Sequence, residues 1–144
     1  MAKTWLITGT SSGFGKALAT IVAQNKDTNL VAAARHLDDL AYLDAFDAKR
    51  IEKVVIDVTD EDQIKAGVAK AIERFETIDV LVNNAGLGYF ATIEESDMDQ
   101  VRYMFEVNVI GLANMTRAVL PTMRRQRSGA VSYTHLTLPT TERV

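Results

Sequence analysis

Short β-branched runs alternate with helix-period runs along most of this chain, and that alternation leaves few folds open. Thr4–Thr8 reads as a first strand and Gly13–Gln24 as a helix. Asn29–Ala34 reads as a second strand, Leu37–Phe46 as a short helix, Ile51–Val58 as a third strand and Ile78–Val82 as a fourth. Ile64, Val68, Ile72 and Phe75 recur on one helical face between the third and fourth strands. Thr59 with Asp62 three residues on predicts a capping box for that helix, and Ser96 with Asp99 repeats the pattern before a long helix to about Arg125. Val109, Leu112, Ala113, Thr116, Leu120 and Met123 are the expected apolar face of its second half. Helices between successive strands make the connections crossovers, so the strands are predicted parallel in a doubly wound α/β sheet. Ser128-Gly129 reads as a turn into one further strand.

The first turn reads Thr8-Gly9-Thr10-Ser11-Ser12-Gly13-Phe14-Gly15. Three glycines between a strand and a helix allow a tight turn, close approach of a pyrophosphate to the backbone, and close packing of helix on strand. The free amides and positive dipole end of the helix then face the phosphates. A lone glycine triplet is also an ordinary strand–helix turn; the strand before and the helix after favour the phosphate cradle. Arg35 ends the second strand, 20 residues past Gly15. An acid there would bond the ribose 2′-hydroxyl of NAD, whereas a guanidinium suits a 2′-phosphate, so NADP is expected in preference to NAD. Asp38 and Asp39 fit the first turn of the next helix. Strand four ends in Asn83-Asn84-Ala85-Gly86-Leu87-Gly88, which lets a ligand lie against the backbone while the Asn amides tie strand ends together, though alone it is equally a turn.

Composition removes competing chemistries. The 144 residues, 47% hydrophobic, suffice for one domain with a core. Net charge is −3, which argues against nucleic acid and against an anionic membrane as partner. There is no cysteine, and His36 and His135 are the only histidines, so no metal is expected. No apolar run spans a membrane and the start does not read as a signal peptide, which points to a cytoplasmic setting. Arg124-Arg125-Gln126-Arg127 reads as cations at a helix C-terminus, and the methionines as packing.

The Thr-Gly-x-x-x-Gly-x-Gly turn, Asp57-Val58, Asn83-Asn84-Ala85-Gly86 and Val107-Asn108-Val109-x-Gly111 occur in order over Lys3 to Ala130. Together they resemble the short-chain dehydrogenase/reductase family. Trp5-Leu6-Ile7, Phe14 and Arg117-Ala118-Val119-Leu120-Pro121 look most like the 17β-hydroxysteroid dehydrogenase-like members. The resemblance implies a Rossmann-type fold and hydride transfer between nicotinamide and an alcohol or carbonyl substrate. It implies that Gly9, Thr10, Ser11, Ser12, Gly13, Phe14 and Gly15 hold the pyrophosphate, Arg35 the 2′-phosphate, and Asp57 with Val58 the adenine. Asn83, Asn84, Ala85 and Gly86 would lie on the nicotinamide side. Asn108 would be the asparagine of the catalytic tetrad, kinking its helix and holding a water of the proton relay. Relatives also pair subunits through the helix corresponding to Asp97 to Arg125, so a homo-oligomer is a further expectation.

The family's proton donor is a Tyr with a Lys four residues on, aided by a Ser. The only late tyrosine, Tyr133, is followed at that spacing by Thr137; the Ser would fall near position 136, held by Leu136, and the Tyr-x-x-x-Lys segment would lie past Val144. From Val131 the family pattern breaks off, and Val131-Ser132-Tyr133-Thr134-His135-Leu136-Thr137-Leu138-Pro139-Thr140 matches one frame of a transposase-library adapter. The expectation is therefore a Rossmann-type domain over residues 1–130, truncated near the start of a fifth strand, and a non-family, adapter-derived tail over 131–144. Ala130–Leu138, rich in Thr, Val and Tyr, has the composition to occupy the open edge of strand four. Two functions follow as expectations: the dinucleotide-binding portion of an NADP-dependent oxidoreductase, inactive as this fragment, or a non-catalytic NADP-binding or interaction module.

Overall fold

The computed structural model describes residues 2–134. Five strands, β1 (Lys3–Ile7), β2 (Thr28–Ala34), β3 (Ile51–Val55), β4 (Val80–Asn83) and β5 (Ala130–Tyr133), form one parallel sheet in the order β3-β2-β1-β4-β5. Helices α1 (Gly13–Gln24), α2 (Glu61–Phe75), α3 (Met98–Phe105) and α4 (Leu112–Gln126) make the crossovers, the last two joined by a π-helical turn, Glu106–Gly111. The parallel doubly wound sheet is as expected. On β2, Leu30, Ala32 and Ala34 face α1, while Val31 and Ala33 face α2 and α4. Successive side chains leave a strand on opposite faces, so a strand covered on both sides must be apolar at every position.

One core lies under α2 and α4, where Val54, Ile56 and Leu81 meet Ile64, Val68, Met115 and Val119. The other lies under α1, where Ile7, Leu30 and Val82 meet Ala19, Val22, Leu40 and Leu43. Leu40 and Leu43 come from Leu37–Ala45, which is 3-10 helical rather than α-helical. Their spacing of three suits a helix with three residues per turn.

Three local expectations are corrected. Asp60, not Thr59, caps α2, its carboxylate accepting from the amides of Asp62 (3.0 Å) and Gln63 (3.2 Å). Thr59 is taken by Asp57, whose Oδ1 accepts both its amide (2.9 Å) and its hydroxyl (2.7 Å). Asp97, not Ser96, caps α3 at the Asp99 amide (2.9 Å), because the Ser96 hydroxyl bonds back to the Thr92 carbonyl (2.7 Å). The long helix is interrupted by the π-turn, which changes the residue period within the helix. Val109 and Ala113 consequently lie exposed, and Leu112, Met115, Val119, Thr122 and Met123 form the buried face.

β5 continues the sheet, Val80 to Asn83 pairing with Ala130 to Tyr133. This is the place expected for Ala130–Leu138; the part from His135 onward lies outside the described residues.

Arg50 closes the carbonyl end of α1. Its guanidinium donates to the carbonyls of Asn25 (2.6 Å), Thr28 (2.9 Å) and Ala23 (3.0 Å). Arg50→Ala strands these acceptors, two of the three bonds being partly buried, and is expected to cost about 2 kcal/mol. A lower urea midpoint at unchanged slope checks this. Arg50→Lys is expected to recover only part, because an ammonium lacks the fork.

Candidate functional site

The carboxyl ends of β1 to β4 open on one crevice of about 360 Å3. A crevice beyond the carboxyl ends of strands is where open parallel sheets bind ligands. Its floor is the turn from β1 into α1. Gly9 and Gly13 have φ of +67° and +58°, a region L side chains rarely enter. A Cβ on Gly15 would lie 2.1 Å from the Gly9 carbonyl oxygen and 2.3 Å from Nδ2 of Asn84. A Cβ on Gly9 would lie 2.9 Å from Cα of Ala85, whereas one on Gly13 would meet nothing within 4 Å. Gly9 and Gly15 thus make room for the protein itself, and Gly13 leaves room for a ligand.

The start of α1 differs from those of α2 and α3. Asp60 and Asp97 supply carboxylates to those two helices. Ser12 precedes α1 in extended conformation but makes no side-chain cap, and the first turn carries no acid. The leading amides of a helix have no partner within it, and the dipole adds positive potential there. An anion is the group that satisfies both.

The loop after β4 is stitched to this turn. The buried Thr8 hydroxyl oxygen accepts from the amides of Asn84 (3.0 Å) and Ala85 (2.9 Å), and Asn84 Nδ2 donates to the Gly9 carbonyl (3.0 Å). Arg35 lies exposed just beyond β2 on the crevice wall, and its guanidinium has no acceptor among the described residues. Asp57, beyond β3, receives Thr59 and donates its own amide to Gln63 Oε1 (2.8 Å).

Of the residues singled out from sequence, Gly9, Ser11, Ser12, Gly13, Phe14, Arg35, Asp57, Val58, Asn84, Ala85 and Gly86 line this crevice. Thr10 and Gly15 are buried in the turn, the Thr10 hydroxyl donating to the Ala33 carbonyl (2.9 Å). Asn83 is buried, with Nδ2 donating to the Thr116 hydroxyl (3.2 Å) and Oδ1 without a donor among the described residues. Asn108, in the π-turn, is half-buried and grips the backbone of Leu87. Its Oδ1 accepts the Leu87 amide (2.9 Å) and its Nδ2 donates to the Leu87 carbonyl (2.7 Å). Leu87, from the run after β4, and Val107, from the Val107 to Gly111 motif, also line the crevice, and so does Tyr103, which was not anticipated. No spacing in the sequence sets the angle at which α3 returns over the strand ends, so no signal pointed to Tyr103.

Among the described residues no group of three or more His, Cys, Asp or Glu side chains is placed to hold a metal, and no helix is long and apolar enough to cross a membrane. The crevice fits a dinucleotide on its own geometry: amides open among the described residues, one glycine with clear space beyond it, and a guanidinium without an acceptor among them.

The short chain dehydrogenase family profile matches residues 3–134. The chain is 39% identical over 132 residues to Oxidoreductase BOA17 of Botryotinia fuckeliana, covering 91% of this chain and 48% of that protein. A short-chain dehydrogenase structure from Streptomyces avermitilis is similar with a TM-score of 0.86 and 41% identity, over 92% of this chain and 48% of that one. The alcohol dehydrogenase of Thermococcus sibiricus, complexed with 5-hydroxy-NADP, is similar with a TM-score of 0.81 and 31% identity, over 91% of this chain and 57% of that one. The chain thus spans about half the length of these relatives.

Proposed function

The chain belongs to the short-chain dehydrogenase family, and on that premise we propose that it is the dinucleotide-binding portion of an NADP-dependent oxidoreductase. The carrying observation is that the open amides of α1, the clear space at Gly13 and the unpartnered Arg35 guanidinium share one crevice. In this reading the Ser11 to Gly15 backbone holds the diphosphate and Arg35 forks onto the 2′-phosphate, the planar geometry a guanidinium matches best. Asp57 and Val58 hold the adenine end, while Asn84, Ala85 and Gly86 lie along the nicotinamide-side ribose. The NADP derivative in the Thermococcus alcohol dehydrogenase supports the same cofactor class. A bound nicotinamide supplies or accepts the hydride exchanged with an alcohol or carbonyl carbon.

Asn108 keeps the loop after β4 in place through Leu87 and, as the tetrad asparagine, holds a water of the proton relay. A proton donor at the substrate oxygen is not assigned to this chain, since Leu136 stands near the family's Ser position and Tyr133 is followed four residues on by Thr137 instead of Lys. Binding without turnover is therefore expected. Exposed Phe105, Val109 and Ile110 support pairing of copies along Asp97 to Arg125. Trp5-Leu6-Ile7 and Phe14 support a place near the 17β-hydroxysteroid dehydrogenase-like members.

Titration with NADPH, followed by nicotinamide fluorescence, tests the reading. Saturable binding about tenfold or more tighter than NADH is expected from one charge-assisted phosphate contact. No binding overturns it. Thr137 four residues after Tyr133, and Leu136 near the family's Ser position, carry a second reading, a non-catalytic NADP-binding or interaction module. Joining the chain to the C-terminal half of a relative separates the two, because only the oxidoreductase reading expects NADPH oxidation with carbonyl substrates.

A further inference from the structure

We propose that Tyr42 is a positioning residue for the dinucleotide, its hydroxyl fixing the Thr10–Ser11 peptide so that the Ser11 amide is held ready for the diphosphate. This rests on the reading that the crevice binds a dinucleotide. The Tyr42 hydroxyl donates to the Thr10 carbonyl at 2.6 Å, the one donor that carbonyl has among the described residues. Thr10 is otherwise anchored on its amino side, where its amide (3.1 Å) and hydroxyl (2.9 Å) both donate to the Ala33 carbonyl. The peptide plane that follows is therefore held by Tyr42.

No peptide bond in the described chain is cis, so the Ser11 N–H points opposite to the Thr10 carbonyl, away from Tyr42. Ser11 lines the crevice, and its amide has no partner among the described residues. Loss of the hydroxyl frees this plane to rotate inside a turn already loosened by glycines on both sides.

Tyr42 is itself well seated. Leu40 and Leu43, on either side of it in sequence, are buried under α1, and the Lys16 ammonium lies 4.9 Å from the centre of the Tyr42 ring. Burial pushes the Tyr42 phenol up from its ordinary value, so it remains a donor at ordinary pH. The same segment follows Arg35 directly. Tyr42 thus braces the diphosphate turn against the segment leading from the 2′-phosphate contact.

The test uses the whole chain with Tyr42→Phe, which keeps the ring and removes the donor. NADPH and NADH dissociation constants are each expected to rise roughly three- to tenfold, the worth of one hydrogen bond. Their ratio is expected to stay constant because the diphosphate is common to both, whereas Arg35→Ser changes the ratio. Unchanged dissociation constants, with or without a lower melting temperature, make Tyr42 merely structural and overturn the proposal. In the unsubstituted chain, the Ser11 amide resonance is expected to move on adding NADPH; a stationary resonance in a chain that binds also overturns it. If the unsubstituted chain binds neither cofactor, the dinucleotide reading itself fails, a result distinct from both of these.

Discussion

Gly15→Ala is expected to remove about 3 kcal/mol or more of stability, whereas Gly13→Ala costs about 1 kcal/mol and abolishes dinucleotide binding. The two glycines lie two positions apart in one turn, yet a methyl group meets different surroundings at each. At Gly15 it would lie 2.1 Å from the Gly9 carbonyl oxygen and 2.3 Å from Asn84 Nδ2. Both atoms belong to the bond joining the β1 turn to the loop after β4, so neither can retreat without breaking it. A domain of this size holds about 5–15 kcal/mol in total, so the loss is a large share of its stability. At Gly13 a methyl group meets nothing within 4 Å, leaving only the strain of a positive φ. On the proposed reading, the space it fills is the space a phosphate needs. Urea melts and NADPH titrations on both variants check the contrast. A Gly13→Ala chain that binds NADPH normally would show that no ligand approaches there.

Legibility in the sequence tracks the distance over which each feature is decided. The start of α1 at Gly13 and its end at Gln24 are read correctly because strand, glycine turn and helix are contiguous. The parallel sheet follows from the helices between successive strands and from runs such as Val31 to Ala34, apolar at every position because both faces are covered. The caps of α2 and α3 are each off by one residue. Thr59-Asp60 and Ser96-Asp97 each offer two capping side chains, and the choice is made by partners, Asp57 and Thr92, that already bind the first of each pair. Helical periodicity cannot show the π-turn, because the turn itself changes the period. The same reason hides the buried face of α4.

The site divides in the same way. Its glycines, Arg35 and Asp57 are local signals at strand ends, and the sheet brings them together because parallel strands present their carboxyl ends on one side. Tyr42 and Tyr103 reach the site through the tilt of the elements that carry them, which packing decides. Tyr42 is 32 positions from the carbonyl it holds. Capping follows a consistent electrostatic logic across the three helices. Carboxylates occupy the starts of α2 and α3 and would compete with an anion at α1, whose first turn carries no acid.

Arg35→Asp is expected to weaken NADPH binding by a hundredfold or more, by order of magnitude, while NADH binding stays level or tightens. The guanidinium sits just beyond β2, exposed and without an acceptor among the described residues, so its removal breaks no bond of the fold. Stability should therefore move by no more than about 0.5 kcal/mol. Charge-assisted bonds to the 2′-phosphate account for roughly 1.5–3 kcal/mol, and the new carboxylate adds repulsion of order 1 kcal/mol against the same dianion. For NADH the carboxylate has a positive use, accepting the ribose 2′-hydroxyl at the end of the second strand. The preference should invert rather than shrink. In the unsubstituted chain the advantage of NADPH should fall as salt is raised, because the pairing lies at the surface and is screened. If both cofactors weaken equally in Arg35→Asp, the guanidinium acts on the shared diphosphate, and cofactor choice lies with another residue of the crevice.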